Sequence, residues 1–439
     1  MIELLKGAEG FSSKISRLYP TNEEIKTNSK ACRELTFQIT ENCNLNCSYC
    51  YQTHKSINKM SFDIAKKMVD LIFKDNEKIN TYYDRNNLKA LVLDFIGGEP
   101  LLEIDFIDKV MDYYVKTAYE YKSDLAYKYM ISICTNGVLY NTEKVQKFIK
   151  KWEPKLSLNI SVDGCKELHD ACRVFHDGSG SYDIVEKAVK TELIRNPKLS
   201  TKMTLAPQNI KYFLPAIKNL TELGYTNIPC NYVFEKGWTI QDARDMYYYA
   251  KETADYLLSL EKIPDVSYFE YRCGLPTTDL PDRNWCGGNG QMLAVNYKGD
   301  LYPCLRFMES SVGYNVEPYI IGNVFDGIRK TPDQIKKLNC LSCITRTSQS
   351  PKECIDCGIA SGCSWCTAYN YQEFGTPNKR TTYICDMHKA RVLANSYFWN
   401  ILYRKLNSSE RFKINLSDEK CLEIISKDEL NLLKDLERD

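Results

Sequence analysis

Three cysteines, Cys43, Cys47 and Cys50, stand in the run Cys-Asn-Leu-Asn-Cys-Ser-Tyr-Cys, directly after the strand-like stretch Leu35–Thr40. Three thiolates at this spacing can hold three irons of a four-iron cluster and leave the fourth iron without a protein ligand. An open iron can bind a small molecule and pass it an electron, so the trio points to redox chemistry rather than to a structural staple. The competing reading is a structural zinc site. Zinc usually takes four ligands in two pairs, and His54 is the one candidate partner close in sequence.

A second set lies downstream, where ten of the nineteen cysteines fall between residues 273 and 385. Cys286, Gly299 and Cys304 lead it; Cys354-x2-Cys357-x5-Cys363-x2-Cys366 follows, and then Cys385. A zinc ribbon wants about 15 to 20 residues between its pairs. The five between Cys357 and Cys363 allow instead a tight wrap around one cluster. Cys32, Cys134, Cys165, Cys172, Cys230 and Cys421 lack paired spacing and read as small buried apolar residues.

Composition narrows the setting. An odd cysteine count in a long chain does not suit a disulfide scaffold, and closely spaced pairs in a reducing compartment read as metal ligands. A net charge of +1 gives no bulk argument for nucleic acid or an acidic membrane. The start Met1-Ile-Glu-Leu-Leu-Lys-Gly shows no basic and apolar signal pattern, and no apolar run approaches roughly 18 residues. A cytoplasmic location, with neither a membrane nor a nucleic-acid partner, is expected.

The elements that must position these cysteines alternate. Strand candidates are Leu35–Thr40, Ala90–Ile96, Tyr129–Thr135, Leu156–Val162, Lys202–Ala206 and Ile228–Phe234. Helical stretches lie between them at Ser61–Lys74, Ile104–Tyr121, Thr142–Trp152, Ser181–Arg195 and Tyr212–Leu223. Such alternation predicts βα units and a parallel sheet. Six units are fewer than the eight of a closed barrel, so the expected class is α/β, as a partial (β/α)6 barrel. The expected divisions are an N-terminal segment 1–33, the barrel 34–240, a linking helix 241–265, a cysteine-rich domain 266–390 and a helical tail 391–439. The cysteine-rich segment shows little periodicity, and metal is expected to replace a normal core there.

The first motif, with Tyr49 before its last cysteine, resembles the radical S-adenosylmethionine (SAM) enzymes. Further matches follow in order: Gly97-Gly98-Glu99-Pro100 after the second strand, Thr135-Asn136-Gly137 after the third, Ser161-Val162-Asp163-Gly164 after the fourth, and Arg173 twelve residues beyond Ser161. The resemblance implies that Cys43, Cys47 and Cys50 hold a [4Fe-4S] cluster. It implies SAM contacts from Gly97, Gly98, Glu99, Pro100, Asn136, Ser161, Asp163 and Arg173. The methionine amine would lie at the glycine motif, and the methionine carboxylate on the fork of Arg173.

The downstream cysteines resemble the SPASM extension of that family, which holds two auxiliary [4Fe-4S] clusters. The resemblance assigns Cys354, Cys357, Cys363 and Cys385 to one cluster. It assigns Cys286, Cys304 and Cys366 to the other, with Cys273 as first choice for its fourth ligand, Cys340 and Cys343 as rivals, and a position left open to a substrate cysteine as the remaining case. The family ends its central run with Cys-x3-Cys where this chain has Cys363-x2-Cys366. The implied function is modification of a ribosomally made precursor peptide, with an external electron donor of flavodoxin or ferredoxin type. The segments Ser361–Tyr371 and Tyr383–Ala390 resemble maturases that join a cysteine sulfur to carbon. Carbon–carbon crosslinking and formylglycine-type oxidation are the alternatives, and a non-catalytic metal-binding protein is the remaining class. Formylglycine formation in that family uses an Asp directly after the second cysteine of the first auxiliary set. Here that position is Leu305, which cannot accept a proton.

Overall fold

The computed structural model describes residues 32–277, 282–284 and 286–438, so the expected segment 1–33 lies almost wholly outside the described residues. Two compact units divide the chain: residues 1–158 with 284–344, and residues 159–283 with 345–439.

The first unit is built on β1 (Cys32–Thr40), β2 (Ala90–Gly97), β3 (Tyr129–Thr135) and β4 (Leu156–Ile160). These lie side by side in that order, β1 to β2 and β2 to β3 in parallel register. Both faces of β1 are buried, as in parallel sheets generally, but they differ in chemistry. Leu35, Phe37 and Ile39 form the apolar face, and Thr36, Gln38 and Thr40 the polar one. Phe37 stacks on its register partner Phe95 with ring centroids 5.2 Å apart. The helices α1 (Phe62–Phe73), α2 (Ile104–Glu120) and α3 (Glu143–Trp152) pack in a row, α1 on α2 and α2 on α3. Their starts follow local chemistry: the Ser61 hydroxyl accepts from Ile64 N and fixes the first turn of α1.

One expectation needs correcting. The cysteine-rich stretch does contribute to a normal core. Met292–Val295 pairs parallel to β1 on the edge opposite β2, and Asp300–Tyr302, Gly322–Asn323 and Gly327–Ile328 extend the same sheet antiparallel to eight strands. Leu293, Ala294, Val295, Leu301, Tyr302 and Phe307 are fully buried. These strands are two to four residues long. Elements so short carry no readable alternation, and their pairing depends on a partner strand far away in sequence.

The second unit contains α4 (Lys166–Cys172), α5 (Tyr182–Arg195), α6 (Phe213–Leu223) and α7 (Ile240–Ser259). Its strands are short: Met203–Leu205 pairs with Cys230–Tyr232, and Asn227–Ile228 with Asp265–Val266, both in parallel. The fifth and sixth expected strands therefore exist, but pair in small separate pieces. Gly224 ends α6 at φ 101°, a left-handed position that glycine adopts without strain. A Thr239–Asp242 capping box starts α7. The tail is helical, and the long helix Cys385–Lys405 packs along α7. Among the described residues no helix is long and apolar enough to cross a membrane.

Candidate functional site

The Cys43 loop leaves the C-terminal end of β1, and the end of β2 holds it. Gly98 N donates to Thr40 O at 3.0 Å, and Glu99 N to Asn42 O at 2.9 Å. The glycines are a steric requirement here. A Cβ on Gly98 would lie 2.2 Å from Asn42 O and 2.8 Å from Cys43 Cβ, and one on Gly97 would lie 2.6 Å from Thr40 O. The glycine pair therefore acts first as a cradle for the cysteine loop.

Glu99 is 1% exposed, and its carboxylate is shared among three donors. Leu101 N donates to it at 2.9 Å, Thr135 Oγ1 at 2.6 Å and Asn136 N at 2.8 Å. It thus ties the end of β2 to the end of β3. Asn136 continues the brace, its Nδ2 donating to Asn44 Oδ1 at 2.7 Å and lying 3.9 Å from Cys43 Sγ. The structure adds Asn42, Asn44 and Thr135 to the residues that set the loop. Only Thr135 had a signal in sequence, as the start of its tripeptide.

Cys47 and Cys50 line a pocket of about 460 Å³ with Asn46, Gln52, Thr53, His54, Lys55 and Tyr314. His54 stacks on Tyr314 at 3.9 Å between centroids. Burial, and then the nearby Glu99 and Cys47, push the Cys43 thiol up to about 11, against the hydrogen bond from Leu45 N. Ligation by a metal cluster removes that proton, so loading of such a site is pH-dependent.

Below the loop, Glu34 lies on the polar face of β1. Burial, then the Asp94 carboxylate on β2, push its carboxyl up to about 7, although the Thr36 hydroxyl donates to it. This group was not among the residues singled out from sequence, because its environment depends on the register of two strands.

Ser161, Asp163 and Arg173 belong to the second unit. Arg173 Nε donates to Asp163 Oδ2 at 2.8 Å and its Nη2 to Oδ1 at 3.4 Å, with both side chains buried. The two residues expected to touch SAM thus pair with each other. His169 braces the turn: its Nε2 lies 3.0 Å from Ser181 Oγ, which donates to Arg173 O at 2.7 Å.

The second unit also gathers four cysteines. Cys363 feels Cys354 and Cys357, Cys385 feels Cys363 and Cys357, and Cys354 feels Cys385 and Cys357. Burial raises the Cys354, Cys363 and Cys385 thiols. Among the described residues, no group of three or more His, Cys, Asp or Glu is drawn tightly enough to hold a single metal ion.

Cys286 and Cys304 lie in the first unit, and a Cβ placed on Gly288 would sit 3.6 Å from each sulfur. The helix Pro332–Ser342, which carries Cys340 and ends at Cys343, packs against the turn after Cys286. Cys366 starts the helix Thr367–Phe374 of the second unit. Cys273 is fully buried in an apolar cluster of that unit, with Ile359, Val392 and Phe412. Of the three candidates for a fourth ligand, Cys340 and Cys343 are thus on the helix beside Cys286.

A sequence model of the Radical SAM superfamily matches residues 37–249. The chain is 24% identical over 397 residues to the radical SAM cyclopropyl synthase TigE of Paramaledivibacter caminithermalis, covering 85% of this chain and 74% of TigE. It is 25% identical over 313 residues to a cysteine-type anaerobic sulfatase-maturating enzyme of Clostridium perfringens, covering 65% of this chain and 75% of that enzyme. It is 22% identical over 295 residues to the antilisterial bacteriocin subtilosin biosynthesis protein AlbA of Bacillus subtilis, covering 66% of this chain and 57% of AlbA. Among solved structures, native anSMEcpe with bound AdoMet and a Cp18Cys peptide superposes with a TM-score of 0.61 at 20% identity, over 86% of this chain and 99% of that one. A likeness at that identity speaks for a shared fold.

Proposed function

From the premise that this chain carries a radical SAM domain and is related to SPASM-type modifying enzymes, we propose that it acts on a ribosomally made peptide and joins a cysteine sulfur to carbon. When bound, SAM and the open cluster would together supply radical chemistry able to remove a hydrogen atom from the substrate. The protein's part is placement. Cys43, Cys47 and Cys50 would hold the cluster. Gly97 and Gly98 keep the loop in place, and Glu99 and Asn136 lock the strand ends around it. Ser161, Asp163 and Arg173 would receive SAM. Cys354, Cys357, Cys363 and Cys385 would hold one auxiliary cluster; Cys286, Cys304 and Cys366, with Cys273, Cys340, Cys343 or a substrate cysteine in the fourth place, would hold the other. A small donor of flavodoxin or ferredoxin type would supply the electron.

The observation that carries this reading is the Cys43 loop seated on Gly98, a cradle that a single methyl group would fill. Relatives named for bacteriocin biosynthesis and cyclopropyl synthesis support a peptide-class substrate over a purely structural metal protein. Leu305 opens the turn Leu305–Phe307 with an apolar side chain where formylglycine chemistry needs a base, which weighs against that outcome despite the sulfatase-maturating relatives.

The test is anaerobic reconstitution with iron, sulfide, dithionite and SAM. Formation of 5′-deoxyadenosine is expected from the wild type and not from the triple Cys43→Ala, Cys47→Ala, Cys50→Ala variant. With a candidate cysteine-containing peptide as substrate, a thioether removes one carbon-bound and one sulfur-bound hydrogen and leaves that cysteine unreactive to iodoacetamide. The coverage by TigE favours one second reading, a carbon–carbon bond. It would leave every cysteine alkylatable.

A further inference from the structure

Arg380 stands out among the buried and half-buried arginines. Arg173 is paired with Asp163, and Arg195 with Glu192. Arg391 gives its N–H groups to the carbonyls of Tyr268, Ser267 and Gly362. Arg380 is 7% exposed and has no such partner. Its Nη2 donates to Cys363 Sγ at 3.1 Å, and its guanidinium lies over the Trp365 ring at 4.0 Å. Its Nε is buried with no hydrogen-bond partner, and among the described residues no carboxylate pairs with it. Its charge also bears on the Cys354 thiol.

A guanidinium cannot shed its proton in a protein. Buried beside neutral thiols, it would be an uncompensated charge, which is strongly unfavourable. An aromatic face offsets part of that cost. The remainder calls for an anion at Cys363. Four thiolates around an iron–sulfur cluster supply one, and its negative charge grows by one when the cluster is reduced.

We propose that Arg380 donates to the Cys363 thiolate of the cluster held by Cys354, Cys357, Cys363 and Cys385 and raises that cluster's reduction potential. The inference rests on the cluster assignment under the proposed function. Hydrogen bonds to cluster sulfurs and nearby positive charge favour the more negative, reduced form, and burial strengthens both effects. Arg380 is a positioning residue here: it acts through the sulfur of Cys363. An auxiliary cluster poised in this way accepts an electron more readily than it gives one.

The experiment is a redox titration of the full-length, anaerobically reconstituted protein, followed by electron paramagnetic resonance and iron analysis. In Arg380→Met, one of the resolved midpoints is expected to move to more negative potential while the others stay in place. Arg380→Lys, which keeps the charge, is expected to move it less. Unmoved midpoints in Arg380→Met with full iron content overturn the proposal. If Arg380→Met sheds iron, Arg380→Lys is expected to retain it with a midpoint near the wild type, and loss in both variants overturns the charge argument. Cys354→Ser and Cys357→Ser separate the two layers. If they change neither iron content nor any signal, the cluster assignment itself fails. If they remove one signal while Arg380→Met moves none, only the role of Arg380 fails.

Discussion

Replacing Gly98 by Ala tests whether the glycine pair is a cradle. The new methyl would lie 2.2 Å from Asn42 O, 2.4 Å from Asn42 C and 2.8 Å from Cys43 Cβ. Two of these neighbours are backbone atoms and the third belongs to a proposed cluster ligand, so no flexible side chain can swing aside. Ordinary contact begins near 3.5 Å, and the loop must retreat on the order of 1 Å. Overpacking of this kind costs about 1–3 kcal/mol. The Glu99 N to Asn42 O hydrogen bond, 2.9 Å long, is stretched by the same movement and adds roughly 1 kcal/mol. A protein of this size tolerates that loss, so the variant is expected to fold with a modestly lowered melting temperature. Chemistry is less tolerant, because a 1 Å misplacement can cost roughly 100-fold in rate. The expected result is a folded Gly98→Ala protein with reduced iron retention and 5′-deoxyadenosine formation down by about that factor. Circular dichroism, iron analysis and chromatographic assay of 5′-deoxyadenosine measure the three quantities separately. Wild-type iron content together with the wild-type rate would refute the cradle argument.

Three further outcomes follow from the same geometry. Glu99→Gln replaces a carboxylate that accepts three hydrogen bonds, and should lower stability by about 1–3 kcal/mol in urea titration; no change would show that the brace is idle. Asp163→Asn leaves Arg173 buried without its counter-charge, so a loss of about 3–5 kcal/mol is expected, together with weaker SAM binding by calorimetry. Unchanged stability and binding would remove the pair from the argument. Glu34 gives a pH test. Its folded carboxyl is raised to about 7 from an ordinary 4.5, so the folded state binds more protons than the unfolded one between those values, and stability falls as pH rises through that window. Glu34→Gln should flatten that slope and gain up to ~3 kcal/mol at pH 8 but little at pH 4.5; equal slopes in wild type and variant would contradict it.

The sequence was most legible where chemistry and periodicity coincided. The Cys43 run followed a strand, and β1 to β4 appear at Cys32–Thr40, Ala90–Gly97, Tyr129–Thr135 and Leu156–Ile160, close to their expected bounds. Long amphipathic helices were equally plain; α2 begins and ends within a residue of expectation. What stayed hidden was non-local. Met292–Val295 has only four residues, and its partner β1 lies far off in sequence, so nothing local announces that it extends the sheet. The raised carboxyl of Glu34 depends on Asp94 across a strand pair. Arg380 reaches Cys363 across seventeen residues that include the helix Thr367–Phe374, and no spacing rule marks an arginine as a sulfur's partner.

The family motifs change meaning once their contacts are known. Read as a string, Gly97-Gly98-Glu99-Pro100 looks like a patch that touches a ligand. In the structure, Glu99 is spent on Leu101, Thr135 and Asn136, and Arg173 is spent on Asp163. A fully engaged carboxylate has little left to offer an ammonium, whereas the backbone it immobilises keeps a fixed position for one. The same holds for Arg173. A guanidinium has five donors, and Asp163 takes two of them from its Nε and one Nη. The fork is thereby held in a set direction and does not need to be ordered again when a carboxylate arrives. Such preorganisation lowers the entropic cost of binding. It also separates two kinds of variant: Arg173→Lys keeps a charge but loses the fork that Asp163 aligns. Its SAM affinity should therefore fall nearly as far as that of Arg173→Met, and an Arg173→Lys protein that binds SAM like the wild type would show that charge alone, not alignment, is what the site requires.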